Sequence, residues 1–267
     1  MRAWGGSAMS IRFPHKGWLL DLDGTVYRGE GLIAGAREVI AALRADGRRL
    51  AFLSNKPLQT REDYARKLTG LGIPASADDV VNSSLVLTRH LATLDRGAPV
   101  FVIGEPPLIA ELTACGFEVR GDHRVRWVVI AFDRTFDYAK LHVALQAVRG
   151  GARLIATNPD RTCPTPEGEI PDCAGMIAAV EAVTGETVEI VVGKPSPIIL
   201  EVALRRLGVT AADCVIVGDR LETDIVMGKR HGLATVLVLS GITRAGDPRI
   251  AEIGPDAVLP SVRELIT

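Results

Sequence analysis

The sequence predicts an α/β fold: a mainly parallel sheet flanked by helices. Three observations carry that expectation. Short, wholly apolar runs end abruptly in acids, glycine or small polar residues, as at Trp18–Leu20 before Asp21 and Val215–Val217 before Gly218. Runs of that kind read as strands buried on both faces. Between them lie longer stretches with apolar residues at helical spacing, bounded by Gly and Pro. Strand and helix alternate in this way almost to the end, which makes βαβ units with right-handed crossovers.

At 267 residues the chain suits one large or two modest domains, at about 150 residues each. Its hydrophobic content of 47% supports a full core. The net charge is −1 and the 31 basic residues are scattered, so neither nucleic acid nor a membrane surface is an expected partner. Cys115, Cys163, Cys173 and Cys214 form no C-x-x-C pair, which fits a reduced, cytoplasmic setting. No apolar run approaches the ~20 residues that span a bilayer. The opening MRAWGGSAMS has no apolar segment of the secretory kind, and residues 1–10 are expected to be a disordered tail.

In order, GWLLDLDGTVYRG opens with a strand that runs into Asp21 and turns at Asp23-Gly24. Residues 36–47 follow as a helix, 48–55 as a strand ending at Ser54-Asn55, and 60–71 as a second helix. Residues 80–94 are expected to be another helix, with Asn82 or Ser83 near its start. From Pro99 the texture repeats: strands in PVFVIG, FEVR, RWVVIAFD and ARLIATN, with helices in PPLIAELTACG and YAKLHVALQAVRGG. PDRTCPTPEGEIP is expected to be loop, and CAGMIAAVEAVTG a helix. This middle third could build a sheet of its own. The last third returns to the opening pattern, with strands in VEIVVGKPS, DCVIVGD and LATVLVLSG and helices between them. A short strand near Ala257–Leu259 and a final helix close the chain.

Four strand ends carry the chemistry: Asp21 with Asp23, Ser54 with Asn55, Gly193-Lys194-Pro195, and Gly218-Asp219 with Asp224. Taken singly, each has an ordinary reading as a turn, a surface lysine or a helix cap. If the strands are parallel, all four project from one edge of one sheet, where open α/β folds bind ligands. Acids without histidine or thiolate partners select a hard cation, Mg²⁺ above all. A hydroxyl, backbone amides and an ammonium complete a cradle for a phosphoryl group.

That ordered set also resembles the haloacid dehalogenase (HAD) superfamily: DLDGT at 21–25, the hydroxyl strand end, the G-K-P lysine, and GD-x₄-D at 218–224. ATNPD at 156–160, GKPSP at 193–197 and LSGIT at 239–243 further resemble its NagD-like, p-nitrophenylphosphatase-like branch. The resemblance implies a Rossmann-like HAD core formed by residues 11–85 and 186–267. A smaller α/β cap, residues 86–185, would be inserted into it. It implies Asp21 as nucleophile, Asp23 as general acid and base, and Lys194 steadying the transferring group. Gly24, Ser54 and Asn55 would bind the phosphoryl oxygens. Asp21, Asp219, Asp224 and the backbone carbonyl of Asp23 would hold Mg²⁺. Asn158 and Asp160 would face the substrate, although an Asn-Pro-Asp turn explains them nearly as well. Arg220 stands where the family more often has a small amide, which changes the contacts next to the ligands.

The function expected is a Mg²⁺-dependent phosphatase for a phosphorylated small molecule such as a sugar phosphate. A homodimer is compatible with such folds. The alternatives are a phospho-accepting signalling module and a catalytically silent binding protein. Asp23 and the insert of about a hundred residues discriminate, since a phosphoryl switch requires neither a second acid nor a cap.

Overall fold

A computed structural model describes residues 12–165 and 167–266; the tail at 1–10 lies outside them. Strand β1 (Gly17–Asp21) is buried throughout. Its side chains alternate between two cores: Leu19 packs with Ala51, Leu53 and Ile216, while Trp18 and Leu20 pack with Phe52, Val215 and Val217. Full burial of each such side chain stabilises the fold by roughly 1.5–3 kcal/mol. A two-residue pair, β2 (Tyr27–Arg28) with β3 (Gly31–Leu32), leads to helix α1 (Ala36–Ala45) and β4 (Arg49–Ser54). Helix α2 (Arg61–Gly70) starts at a capping box, with Thr60 accepting from the Asp63 amide.

The expected helix at 80–94 is divided. Val80–Asn82 forms β5 beside β4, and α3 (Ser83–Leu94) begins only after Asn82 caps it by accepting from the Leu85 amide. Two β-branched residues extend the sheet before the cap chemistry takes over.

A second run of elements follows: β6 (Pro99–Ile103), α4 (Pro106–Ala114), β7 (Glu118–Val119), β8 (Trp127–Ile130), α5 (Tyr138–Arg149) and β9 (Arg153–Ala156). The expected loop after it is an antiparallel hairpin, β10 (Thr162–Thr165) with β11 (Gly168–Pro171). The hairpin is mostly polar and interrupted by prolines, so it lacks the apolar alternation that marks a half-buried strand. Helix α6 (Cys173–Thr184) and β12 (Ile190–Val191) complete this unit.

The chain then returns through α7 (Pro197–Leu207), β13 (Cys214–Gly218), a π-helical turn at Leu221–Ile225, α8 (Val226–His231), β14 (Ala234–Val238), α9 (Arg249–Ile253) and β15 (Ala257–Leu259). A 3₁₀ turn, Val262–Leu265, stands where a final helix was expected.

Two parallel sheets result. The first has the order β15-β14-β13-β1-β4-β5, which places β1 between its partners β4 and β13. The second has the order β12-β9-β8-β6-β7. One of the four expected strand ends therefore belongs elsewhere: β12, which leads to Lys194, pairs with β9 in the second sheet. A short apolar run does not specify which sheet accepts it. One buried cluster runs from Leu19 and Leu53 through Leu87, Leu91 and Val192 to Val129 and Ile155, joining a face of each sheet.

Candidate active site

Asp21 ends β1, and the next residue, Leu22, turns back into the core with Trp18 and Leu20. The chain then doubles back, with the Val26 and Tyr27 amides donating to Leu22 O. Gly24 holds φ at 86°, and a Cβ there would lie 2.5 Å from Asp219 Oδ2. A side chain at this position is excluded both by backbone strain and by the opposing acid. Gly218, at the end of β13, is likewise closed to a side chain by the Asp224 carboxylate. The D-x-D-G and G-D-x₄-D spacings thus let two strand ends approach each other closely.

Asp21, Asp219 and Asp224 each present a carboxylate oxygen, all within 4.8 Å of one another and all buried. Lys194 Nζ donates to Asp21 Oδ1 at 2.5 Å and to Asp224 Oδ1 at 2.7 Å. Burial works against its ammonium, but Asp21 and Asp224 outweigh burial and hold its pKa above the ordinary lysine value. Burial pushes Asp21 well up; Lys194 opposes the rise, and Asp224 and Asp219 add to it. Asp219 is pushed up to about 7 by burial and then by Asp224, even though the Ile242 amide donates to it at 2.6 Å. Three buried carboxylates against one ammonium form a charge set that a further cation would balance. An all-oxygen donor set suits a hard divalent ion.

Asp23 stands outside that cluster: its carboxylate pairs with Lys56 Nζ at 2.9 Å. Ser54 Oγ, buried, lies 3.3 Å from the Tyr64 hydroxyl and accepts from the Lys56 amide. The Gly24 amide, expected to face an anion, donates instead to Tyr27 O at 2.8 Å. The Asn55 side chain joins the two sheets. Its Oδ1 accepts from Lys194 N at 2.8 Å, and its Nδ2 donates to Lys194 O at 3.1 Å and Asp160 Oδ2 at 3.2 Å. Asn158 is wholly buried and donates to Asn55 O at 2.7 Å, so it fastens the second sheet to the first rather than facing a substrate. Asp160 does line the cavity beside the nucleophile.

Three residues of this site carry no motif. Lys56 directly follows Ser54-Asn55, and that adjacency is the signal that could have found it. Arg220 Nη2 donates to Thr162 O at 2.6 Å, tying the residue after Asp219 to the β10 hairpin. Asp172 caps α6, and burial together with Asp160 pushes it up to about 7.

The cavity these groups enclose is about 30 Å³, the room of roughly one water. A chamber of about 320 Å³ adjoins it and shares Asp23, Lys56 and Pro164 with it. A larger groove, about 840 Å³, lies at the amino ends of the first sheet, beside Lys16, Arg48 and Arg49. Arg48 and Arg49 there are committed to the carbonyls of Pro14, His15, Leu207 and Gly208, and none of the site's acids lines it.

Comparison with known proteins agrees with this arrangement. Residues 18–118 match the family model for haloacid dehalogenase-like hydrolases, and residues 191–265 match a HAD-hydrolase-like model. The sugar-phosphatase AraL of Bacillus subtilis is 42% identical over 250 residues, covering 93% of this chain and 91% of that protein. The chain belongs to the haloacid dehalogenase-like hydrolases.

Among solved structures, the 4-nitrophenylphosphatase of Thermotoga maritima superposes with a TM-score of 0.89 at 35% identity, covering 94% of this chain and 96% of that one. NagD from E. coli follows at 0.83 and 32%, covering 94% and 98%. Within the HAD family the chain is thus an enzyme of the NagD-like phosphatase branch, which sets aside the signalling and silent-binding alternatives. No helix among the described residues is long and apolar enough to cross a membrane.

Proposed function

We propose that this HAD phosphatase hydrolyses small organic phosphate monoesters, sugar phosphates or similar metabolites, with Mg²⁺ and through a phosphoaspartate on Asp21. The observation that carries the reading is the convergence of Asp21, Asp219, Asp224 and Lys194 from separate chain segments, with Asp23 beside them. The names of relatives that act on sugar phosphates and nitrophenyl phosphate support the substrate class. Free thiols at all four cysteines fit the cytoplasmic setting. The second sheet and its helices act as the cap.

In this reading an Asp21 carboxylate oxygen attacks phosphorus and the ester P–O bond breaks. Asp23 gives its proton to the departing alkoxide, then takes one from the water that attacks the same phosphorus and frees Asp21. Lys194 favours the ionised form of Asp21 against burial, and with Ser54 and the amide of Asn55 it meets the phosphoryl oxygens. Mg²⁺ held by Asp21, Asp219, Asp224 and the Asp23 carbonyl would offset the phosphoryl charge. A cavity with room for one water cannot take a phosphoryl group as it stands, so the cap must swing away before substrate enters.

Hydrolysis of p-nitrophenyl phosphate tests the reading. Turnover is expected with Mg²⁺, to vanish with EDTA and return on adding Mg²⁺, and to fall at least about 10⁴-fold in Asp21→Asn. Full turnover by folded Asp21→Asn protein would overturn it.

A further inference from the structure

Resting on the phosphatase reading, we propose that the 320 Å³ chamber beside Asp23 receives the leaving group, and that Arg134 and Lys67 select leaving groups bearing a second anionic group. Position comes first. The small cavity holds the nucleophile, Lys194 and the metal-binding acids, and it meets the chamber at Asp23 and Lys56. An ester oxygen turned toward Asp23 for protonation therefore points the rest of the molecule into the chamber. At about 320 Å³ the space corresponds to roughly ten waters at ~30 Å³ each, enough for a small carbon skeleton.

Charge comes second. Lys56, Lys67 and Arg134 line the chamber, and Asp23 is the only carboxylate among the described residues that do. The phosphoryl group already has Lys194, so these cations are surplus to its needs. Each comes from a different place: Lys56 follows β4, Lys67 lies on α2, and Arg134 follows β8 of the cap. Arg134 donates through Nε and Nη2 to Glu105, both at 2.6 Å, so the guanidinium is held in position, and Nη1 makes no hydrogen bond among the described residues. Lys67 Nζ sits 4.3 Å above the Tyr27 ring centroid and 3.0 Å from Glu30, whose side chain is 93% exposed. Lys67 is largely covered, but its partner Glu30 stands in solvent and is held weakly, so it is readily exchanged for a ligand anion. A carboxylate or second phosphate at the far end of the substrate would meet both cations, while Tyr27 and Phe132 wall the carbon skeleton.

The test compares two three-carbon esters that differ in that charge, 3-phosphoglycerate and glycerol 3-phosphate, with p-nitrophenyl phosphate as control. The native enzyme is expected to favour 3-phosphoglycerate in kcat/KM by about tenfold or more. The preference should shrink with added salt, and toward unity in Arg134→Gln and Lys67→Gln. Arg134→Gln leaves Glu105 buried without its partner, so Lys67→Gln, on the core side, keeps the test valid if that variant folds poorly. A ratio of one or below in the native enzyme, or a ratio moved by neither substitution, overturns the proposal while hydrolysis of the control leaves the phosphatase reading standing. Failure to hydrolyse all three substrates overturns both.

Discussion

The two sheets place the carboxyl ends of their parallel strands against each other, yet those ends handle charge in opposite ways. At the core end, Asp21, Asp219 and Asp224 share the single ammonium of Lys194. At the second sheet's end two acids have a cation of their own, Glu105 with Arg134 and Asp133 with Lys140, each at 2.6 Å, while Asp160 and Asp172 face each other at the seam. Neutral amides do the remaining work there, with Asn158 donating to Asn55 O and Asn55 to Asp160. Topology is common to both halves, so topology does not decide which half reacts. Unbalanced charge separates them: in the proposed reading the core end would receive a cation and a phosphoryl group, and the second sheet's more nearly balanced end would close over them.

The largest expected effect that sharpens this contrast is at Asp23, which belongs to the core yet lies outside its carboxylate cluster. Asp23→Asn should lower kcat by about 10²–10⁴-fold, the usual share of a general acid-base group. The loss should be greater for glycerol 3-phosphate than for p-nitrophenyl phosphate, because an alkoxide needs the proton and a nitrophenoxide hardly does. Equal losses on both substrates would assign Asp23 to holding the site together rather than to proton transfer.

The seam between the halves is the next place to press. Asn55 bonds three groups across the seam, Lys194 N and Lys194 O, which follow β12, and Asp160, which follows β9. Asn55→Ala leaves these buried groups without their partner and should cost about 1–3 kcal/mol in urea unfolding. KM for p-nitrophenyl phosphate should rise in the same variant, as Lys194 loses its register against Asp21. Unchanged stability with a raised KM would make Asn55 a phosphate ligand and not a fastener.

The core was legible in the sequence because its strands are buried on both faces and their apolar runs stop at the residues that react. Asp21 could be placed from Leu20 and Leu22 alone, since the strand's alternation puts those two on the opposite face. Lys194 was legible as a residue but not as a position: nothing in VEIVVG says that β12 pairs with β9 rather than with the core. The β10–β11 hairpin was hidden by its polarity and prolines. Lys56, Arg220 and Asp172 were visible as residues, Arg220 even as a departure beside a ligand, but their contacts were not, for a common reason. Each looks locally like a turn or cap residue, and each acquires its role from a partner across the fold: Asp23, Thr162 and Asp160 respectively.

Asp172 offers the smallest effect and the cleanest sign. It is the one cap acid near the seam that burial and a neighbouring acid, Asp160, push up to about 7. In the unfolded chain it titrates at the ordinary aspartate value of about 4. Between those limits the folded state binds the extra proton, so this group makes stability fall as pH rises from about 4 to about 7, with the full loss present above that. Asp172→Asn keeps the shape and the N-cap of α6, since asparagine caps as well as aspartate, and removes the titration. The variant's stability relative to the native protein should therefore grow between about pH 5 and pH 8, by about 1–3 kcal/mol in urea unfolding. A gap that stays constant across that range would mean that Asp172 is already balanced by a cation, making the cap end as neutral as its other pairs suggest.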